Sequence, residues 1–278
     1  MNLPTAVLFG VVEGITEFLP VSSTGHLTIL ERLLGYEVDA KDVTAFTAII
    51  QTGAVLATLI YLRDEFRRIV FALIRGLFRP GWRADPDWRF GWAVVLGSVP
   101  IGITGLLFQH QIETTLRSLW FVGAALIAWS APMLYADRTA SQKRGESEIT
   151  WKDTLIIGAA QCIALVPGVS RSGATMTAGL LRGLDRVAVT RLSFMLSVPA
   201  LTAAGVLQGV SAAGDISSGV GWPATLVATA VSFVVAYYSV AWLLRFVARH
   251  DFTVFIAYRV VLGVVLLVLL ASGVVAAV

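Results

Sequence analysis

Glu13 and Glu17 stand four residues apart in the stretch GVVEGITEFLPVSSTGHLT, Gly10 to Thr28, whose surroundings are apolar. On a helix that spacing puts both carboxylates on one face, one turn apart. They repel there unless a cation, a proton or a basic group sits between them. Pro20 then removes a backbone donor and disfavours helix at Leu19. The pattern predicts a half-helix, a break, and a second half-helix opening near Ser22-Ser23-Thr24-Gly25. A new helix N-terminus offers free N–H groups and hydroxyls, and His26 follows one residue on. This is an anion site beside an acid/base group.

The theme returns later in the chain. Setting Gly10-Val11-Val12-Glu13 over Gly158-Ala159-Ala160-Gln161 brings Ser22-Ser23-Thr24-Gly25 over Ser170-Arg171-Ser172-Gly173, with the prolines displaced by one position (Pro20 against Pro167). Residues 154 to 182 therefore read as a second broken segment with its own new helix N-terminus.

The elements that position these groups must lie in lipid. Of 278 residues 56% are hydrophobic and 14% charged, and the mean hydropathy is +0.78. The apolar runs reach membrane-spanning length. The formal net charge of +3 is too small to argue for nucleic acid, and the arginines flank apolar runs, where topology explains them. Cys162 is the single cysteine, so no internal disulfide forms, and three scattered histidines make no His-rich metal cluster. The apolar opening carries Glu13 and Glu17 and lacks a basic n-region, which argues against a cleaved signal peptide.

In order, the chain reads as a broken segment at about 3 to 34 and a full span at about 43 to 62. A loop from Arg63 to Arg89 follows, with turn signals at Pro80-Gly81 and Asp85-Pro86. Spans come next at about 90 to 108 and 119 to 136, then a basic connection from Asp137 to Asp153 and the second broken segment. Spans at about 190 to 207, 223 to 247 and 252 to 276 close the chain. The positive-inside rule places both basic connections in the cytoplasm and both termini outside.

The expected fold is an all-α polytopic membrane protein. It has about six transmembrane helices plus two re-entrant broken-helix pairs, in one integral membrane domain over 1–278. Three spans, an odd number, separate the pairs, so the second enters from the opposite face. The result is an inverted-topology repeat, unit one at about 1–136 and unit two at about 154–278.

An ionisable group inside a bilayer costs roughly 2.5 to 3.5 kcal/mol on insertion scales, so Glu13, Glu17 and Arg171 ask for a function. A structural ion pair is the plain alternative, with Arg171 neutralising one glutamate across the repeat interface. It would not need the surrounding hydroxyls, the histidine and the two helix N-termini, which together suit a phosphate; a guanidinium matches paired phosphate oxygens. Ser22, Ser23, Thr24, Ser170 and Ser172 could each simply cap a helix, a role compatible with phosphate binding. His26 taken alone could be a helix residue bonded to a carbonyl. Gln51 and Gln161 read as polar packing between helices, His110 and His250 as groups at span ends, and Cys162 as inert.

Two motifs carry a resemblance. Glu13 to His26 (EGITEFLPVSSTGH) and Pro167 to Thr175 (PGVSRSGAT) are similar to the signature pair of the bacterial undecaprenyl-diphosphate phosphatase family associated with bacitracin resistance. The likeness runs along essentially the whole chain and includes Phe46, Ile50, Gln51, Gly53 and Tyr258-Arg259. It implies removal of the terminal phosphate of the C55 polyprenyl diphosphate, which regenerates the carrier lipid for peptidoglycan and the cell envelope. It also implies a divalent cation, Mg or Ca, and a multi-pass protein of the bacterial inner membrane whose site faces the periplasm.

By position, the resemblance makes Glu13 and Glu17 the essential acidic pair, expected also to hold the metal, Ser23 and His26 the catalytic candidates, and Arg171 the phosphate-binding arginine. Ser22, Thr24, Ser170, Ser172 and Gly173 join it around the phosphate. Ser23, His26 and a metal-activated water stay open as the attacking group. The expected partners are the polyprenyl diphosphate lipid and the bilayer, with no nucleic acid and a homodimer left open. Broken helices at the midplane also build secondary transporters, so a flippase of polyprenyl phosphate is the alternative reading. P-loop and GxSxG phosphatase motifs are missing. The PSGH-type lipid phosphatases share only the flavour of Ser23 to His26.

Overall fold

Pro4 sits in the first turn of α1 (Leu3–Thr16), where its missing N–H costs nothing, and the Asn2 side chain accepts from Thr5 N at 2.9 Å. The helix stops ahead of Pro20, and the chain resumes as α2 (Ser23–Leu33). The structure, a computed structural model, describes residues 1–276. After the first broken pair come α3 (Lys41–Tyr61), α4 (Arg63–Phe78), α5 (Pro86–Leu107), the short α6 (Gln109–Glu113) and α7 (Leu119–Thr139). The second broken pair is α8 (Trp151–Ala160), continued by a 3-10 turn at Gln161–Leu165, and α9 (Arg171–Leu181). The chain ends with α10 (Arg186–Ser211), the short α11 (Ala213–Ser218), α12 (Trp222–Val247) and α13 (Thr253–Ala271).

Among the described residues six helices are long and apolar enough to cross a membrane: α3, α5, α7, α10, α12 and α13. This agrees with the expected all-α, polytopic fold. The segment from 63 to 89 differs from the expected loop. Asp64 and Glu65 in the first turn and Arg75 in the last suit a helix dipole, and apolar residues recur at helical spacing, so α4 forms.

Packing between helices uses small residues to bring backbones together. α1 lies along α12, and α12 along α3. Added Cβ atoms on Gly10 and Gly14 would fall 2.5 Å from Ala228 O and 2.8 Å from Ser232 O, and one on Gly53 would fall 2.2 Å from Thr229 O. On the other side α8 lies along α5, and α5 along α10. A Cβ on Gly158 would fall 2.2 Å from Gly97 O. The α3–α10 pair joins these two groups, and α7 packs along α13.

At the ends carrying the basic connections, ion pairs bind the elements together. Asp153 accepts from Arg144 and Arg182, Asp137 from Arg186, and Glu65 and Glu146 from Arg191. At the opposite end Arg117 meets Glu31 at 3.1 Å and donates to Thr44 Oγ1 at 2.5 Å.

Candidate active site

The two broken pairs meet at their breaks. Ser22 and Ser170 are the N-caps of α2 and α9, with φ of 74° and 78°. Positive φ on a residue with a Cβ costs about 1–3 kcal/mol and persists only where the surroundings enforce it. Here both serine hydroxyls accept from the third residue of their helix, Gly25 N at 3.3 Å and Gly173 N at 3.1 Å. The breaks also bond to each other. Ser22 Oγ accepts from Gly168 N at 3.1 Å, and Ser172 Oγ donates to Leu19 O at 2.8 Å and lies 3.0 Å from Ser170 Oγ. The N–H groups that open α2 and α9 have no carbonyl one turn back in their own helices, so each start is an anion-binding end.

Onto this frame the side chains project. Ser23 Oγ donates to Glu17 Oε2 at 2.5 Å, and Arg171 Nη2 donates to Glu17 Oε1 at 2.9 Å. One carboxylate thus joins a hydroxyl from the first break to a guanidinium from the second. The structural ion pair anticipated between Arg171 and a glutamate exists, and it is part of this cluster. Arg171 also donates to Ser193 O at 3.2 Å, and its Nε has no partner. Glu13, one turn before Glu17, is fully buried with neither carboxylate oxygen hydrogen-bonded. An unsatisfied buried carboxyl beside a second one fits a cation or a proton.

His26 is turned away from Ser23's hydroxyl and bonded on both sides. Its Nδ1 lies 2.7 Å from Ser22 O and its Nε2 2.7 Å from the Tyr258 hydroxyl, with the two rings stacked at 5.6 Å. A carbonyl only accepts, so Nδ1 carries the proton and a neutral ring takes the Tyr258 O–H at Nε2. Thr24 stands partly exposed in the first turn of α2, and Gly173 packs against Ser170 and the Met133 sulfur. The grouping therefore gathers Glu13, Glu17, Ser22, Ser23, Ser170, Arg171, Ser172 and Gly173 at one junction. His26 is held at its edge.

Tyr258 and Arg259 were not singled out from their chemistry. Arg259 is completely buried and donates to Gly168 O at 2.9 Å, Pro20 O at 3.3 Å, Leu126 O at 3.4 Å and Ser130 Oγ at 3.3 Å. It pins both breaks to α7. An arginine inside a helix of mean hydropathy 2.7 was the available signal. The buried Glu31–Arg117 pair is a second one; Glu31 lies two turns after Ser23 on the same face of α2.

Glu13 and Glu17 are the side chains that could hold a metal. Among the described residues no group of three or more His, Cys, Asp or Glu does so. Two carboxylates are nevertheless the protein share expected where a hard cation also takes oxygens from a phosphorylated substrate and water. The donor set fits Mg or Ca. Outside α1, an open apolar groove of about 470 Å³ runs between Ile15, Leu19, Val235, Tyr238, Ser239 and Trp242, beginning at the first break.

Residues 6–265 match the family described as bacitracin resistance protein BacA. The chain is 65% identical over 277 residues to undecaprenyl-diphosphatase 3 of Frankia casuarinae, with both chains covered completely. It is 52% identical to the undecaprenyl-diphosphatase of Cutibacterium acnes and 51% identical to that of Acidothermus cellulolyticus, each again over the full length of both chains.

Proposed function

The chain belongs to the bacitracin resistance protein BacA family, and on that premise we propose how its own residues work as an undecaprenyl-diphosphate phosphatase. It hydrolyses undecaprenyl diphosphate to undecaprenyl phosphate and inorganic phosphate, returning the lipid carrier to peptidoglycan and envelope synthesis. The observation that carries the reading is the chain Ser23–Glu17–Arg171 across the two breaks, at 2.5 Å and 2.9 Å.

Phosphoryl transfer needs positioning and charge stabilisation more than covalent artifice. The terminal phosphate sits between the N-termini of α2 and α9, taking N–H groups, the hydroxyl of Thr24 and the spare donor of Arg171, while Ser170 and Ser172, whose protons are used within the second break, hold that helix end in place. Glu17 accepts the Ser23 proton as Oγ attacks the terminal phosphorus. The phosphoanhydride P–O bond breaks, and undecaprenyl phosphate leaves with the bridging oxygen. Glu17 then returns that proton toward the leaving side or to solvent. A water attacks the phosphoserine and passes a proton to Glu17, the P–Oγ bond breaks, Glu17 hands that proton to Ser23 Oγ, and inorganic phosphate departs. Arg171 holds Glu17 in the orientation this exchange requires. A Mg or Ca ion held by Glu13 and Glu17 would, when bound, neutralise diphosphate charge. His26, locked by Ser22 and Tyr258, shapes the rim of the site and is not the base for Ser23.

The polyprenyl tail leaves sideways. The apolar groove starting at Leu19 supports that path, because it joins the break to the lipid-facing side of α1 and α12. The inverted repeat is supported by contact symmetry: exchanging α1, α2, α3, α5 and α7 for α8, α9, α10, α12 and α13 carries the α1–α12 and α3–α12 pairs onto α8–α5 and α10–α5, and returns α7–α13 and α3–α10 to themselves. A site opening to the periplasm from the inner membrane is supported by the basic connections and by the ion pairs that close their end.

The test is phosphate release from C55 diphosphate by purified protein, with and without chelator. Chelator-sensitive release supports the reading. Binding without release in the presence of metal overturns it and turns attention to flux of polyprenyl phosphate in liposomes.

A further inference from the structure

Basic and apolar side chains outside the site described above gather on α4 and the turn that follows it. Between residues 63 and 89 the chain has seven arginines against four carboxylates, an excess equal to its whole formal net charge of +3. The helix presents three stripes. Ile69, Ala72 and Gly76 are buried against α5, with Gly76 facing the ring of Trp88 and Ile69 lying beside Gly91. A second stripe, Val70, Phe71, Ile74, Leu77 and Phe78, is apolar and exposed, Phe78 to 80%. The third carries Arg68 and Arg75, and Arg79 follows at the extended C-cap.

Its direction follows from its contacts. Arg68 meets Asp87 at 3.5 Å while Gly76, eight residues on, meets Trp88. Ile69 and Leu73 meet Gly91, so eight residues of α4, about 12 Å of helix, pack on the five from Asp87 to Gly91, about 6 Å. So α4 crosses the start of α5 at an angle, and its exposed apolar stripe beside arginines is the pattern of a helix that lies at a bilayer surface.

Two of the three arginines at its C-terminal end are held in place. Arg75 lies between two rings, 4.1 Å from the Phe71 centroid and 4.6 Å from that of Trp82. Arg83 spends its Nε on Gly76 O at 3.0 Å, leaving its two terminal nitrogens for another acceptor. No carboxylate pairs with Arg75, Arg79 or Arg83 among the described residues, whereas Arg67 and Arg68 have theirs. A guanidinium fork fixed by aromatic stacking, as at Arg75, matches the two free oxygens of a phosphodiester.

We propose that Arg75, Arg79 and Arg83, with Phe71 and Trp82 stacked on Arg75 and exposed Phe78 in the same segment, form a binding site for the head group of an anionic glycerophospholipid in the leaflet on which α4 lies. The occupant is a lipid because the same segment supplies apolar side chains to the acyl region next to the phosphate-binding groups.

The test is native mass spectrometry of the full-length protein released from bilayers of equal phosphatidylglycerol and phosphatidylcholine. Wild type is expected to retain phosphatidylglycerol at least fivefold over phosphatidylcholine. Replacing Arg75, Arg79 and Arg83 together with Gln should bring that ratio close to one, while replacing Arg63 and Arg67 with Gln should leave it within twofold of wild type. Replacing the three with Lys should fall between, since charge remains and the fork is lost. Phosphate release by the same samples reports that each variant is folded and does not depend on which lipid is retained. No enrichment in wild type, or equal loss in both Gln variants, overturns the proposal.

Discussion

At the first break Ser22 turns the chain with φ 74° and caps Gly25; at the second Ser170 does so with φ 78° and caps Gly173. The backbones are alike, and the side chains they carry have diverged. The residue after the cap is Ser23 in one and Arg171 in the other. Glu13 corresponds to Gln161 and Glu17 to Leu165. One break holds the acid and the hydroxyl, the other the cation, and Glu17 bonds to both. The same bend occurs twice and leaves two helix ends with free N–H groups, and in the proposed mechanism their unequal side chains divide the work.

That inequality can be broken from either side. Arg171→Ala is expected to lower kcat/KM by about a thousandfold, near 4 kcal/mol, because it removes both a phosphate donor and the group orienting Glu17. Arg171→Lys should keep part of this, with a loss of about ten- to a hundredfold, since an ammonium cannot serve two acceptors in fixed geometry. Equal rates for the Lys variant and wild type would remove the guanidinium geometry from the mechanism.

Glu13→Gln makes the first half-helix resemble the second, where Gln161 is also fully buried with its oxygen unbonded. Manganese binding followed by electron paramagnetic resonance should weaken by at least tenfold in this variant, and the Mg concentration needed for half-maximal phosphate release should rise in step. Unchanged manganese binding would leave Glu13 holding a proton instead of a metal.

Tyr258→Phe tests the edge of the first break. It leaves Nε2 of His26 unfilled and should lower kcat several-fold with KM little changed, because His26 loses one of its two anchors. A wild-type kcat would reduce the Tyr258 contact to packing. The smallest functional effect is expected of Gly158→Ala, where the added methyl meets Gly97 O at 2.2 Å and α8 must move from α5. Loss of about 1–3 kcal/mol in thermal or denaturant unfolding, with residual activity in the folded fraction, is the expected result.

Much of this was legible in the residues. Pro20 and the Ser-Ser-Thr-Gly run located the first break, and the Ser-Arg-Ser-Gly run located the second, because a proline or glycine followed by a capping hydroxyl is a local signal. The six spans followed from the lengths of apolar runs. Two things were not local. α4 read as a loop because its turn residues, Pro80-Gly81 and Asp85-Pro86, draw attention from the amphipathic stretch before them. The partners of Ser23 and His26 depend on where α1 ends and where α13 crosses. Spacing alone suggested that His26 serves Ser23, whereas the fold gives Ser23 to Glu17 and His26 to Tyr258.

The central claim is that Ser23 attacks phosphorus from the first break while the second break only binds. Its direct measurement is single-turnover phosphate release from C55 diphosphate by Ser23→Ala beside Ser172→Ala, which removes a hydroxyl of the second break, with lipid binding measured on the same folded samples. The account predicts that Ser23→Ala binds the lipid and releases phosphate at least a thousandfold more slowly, while Ser172→Ala loses about tenfold. Release by Ser23→Ala at a rate within tenfold of wild type would contradict it.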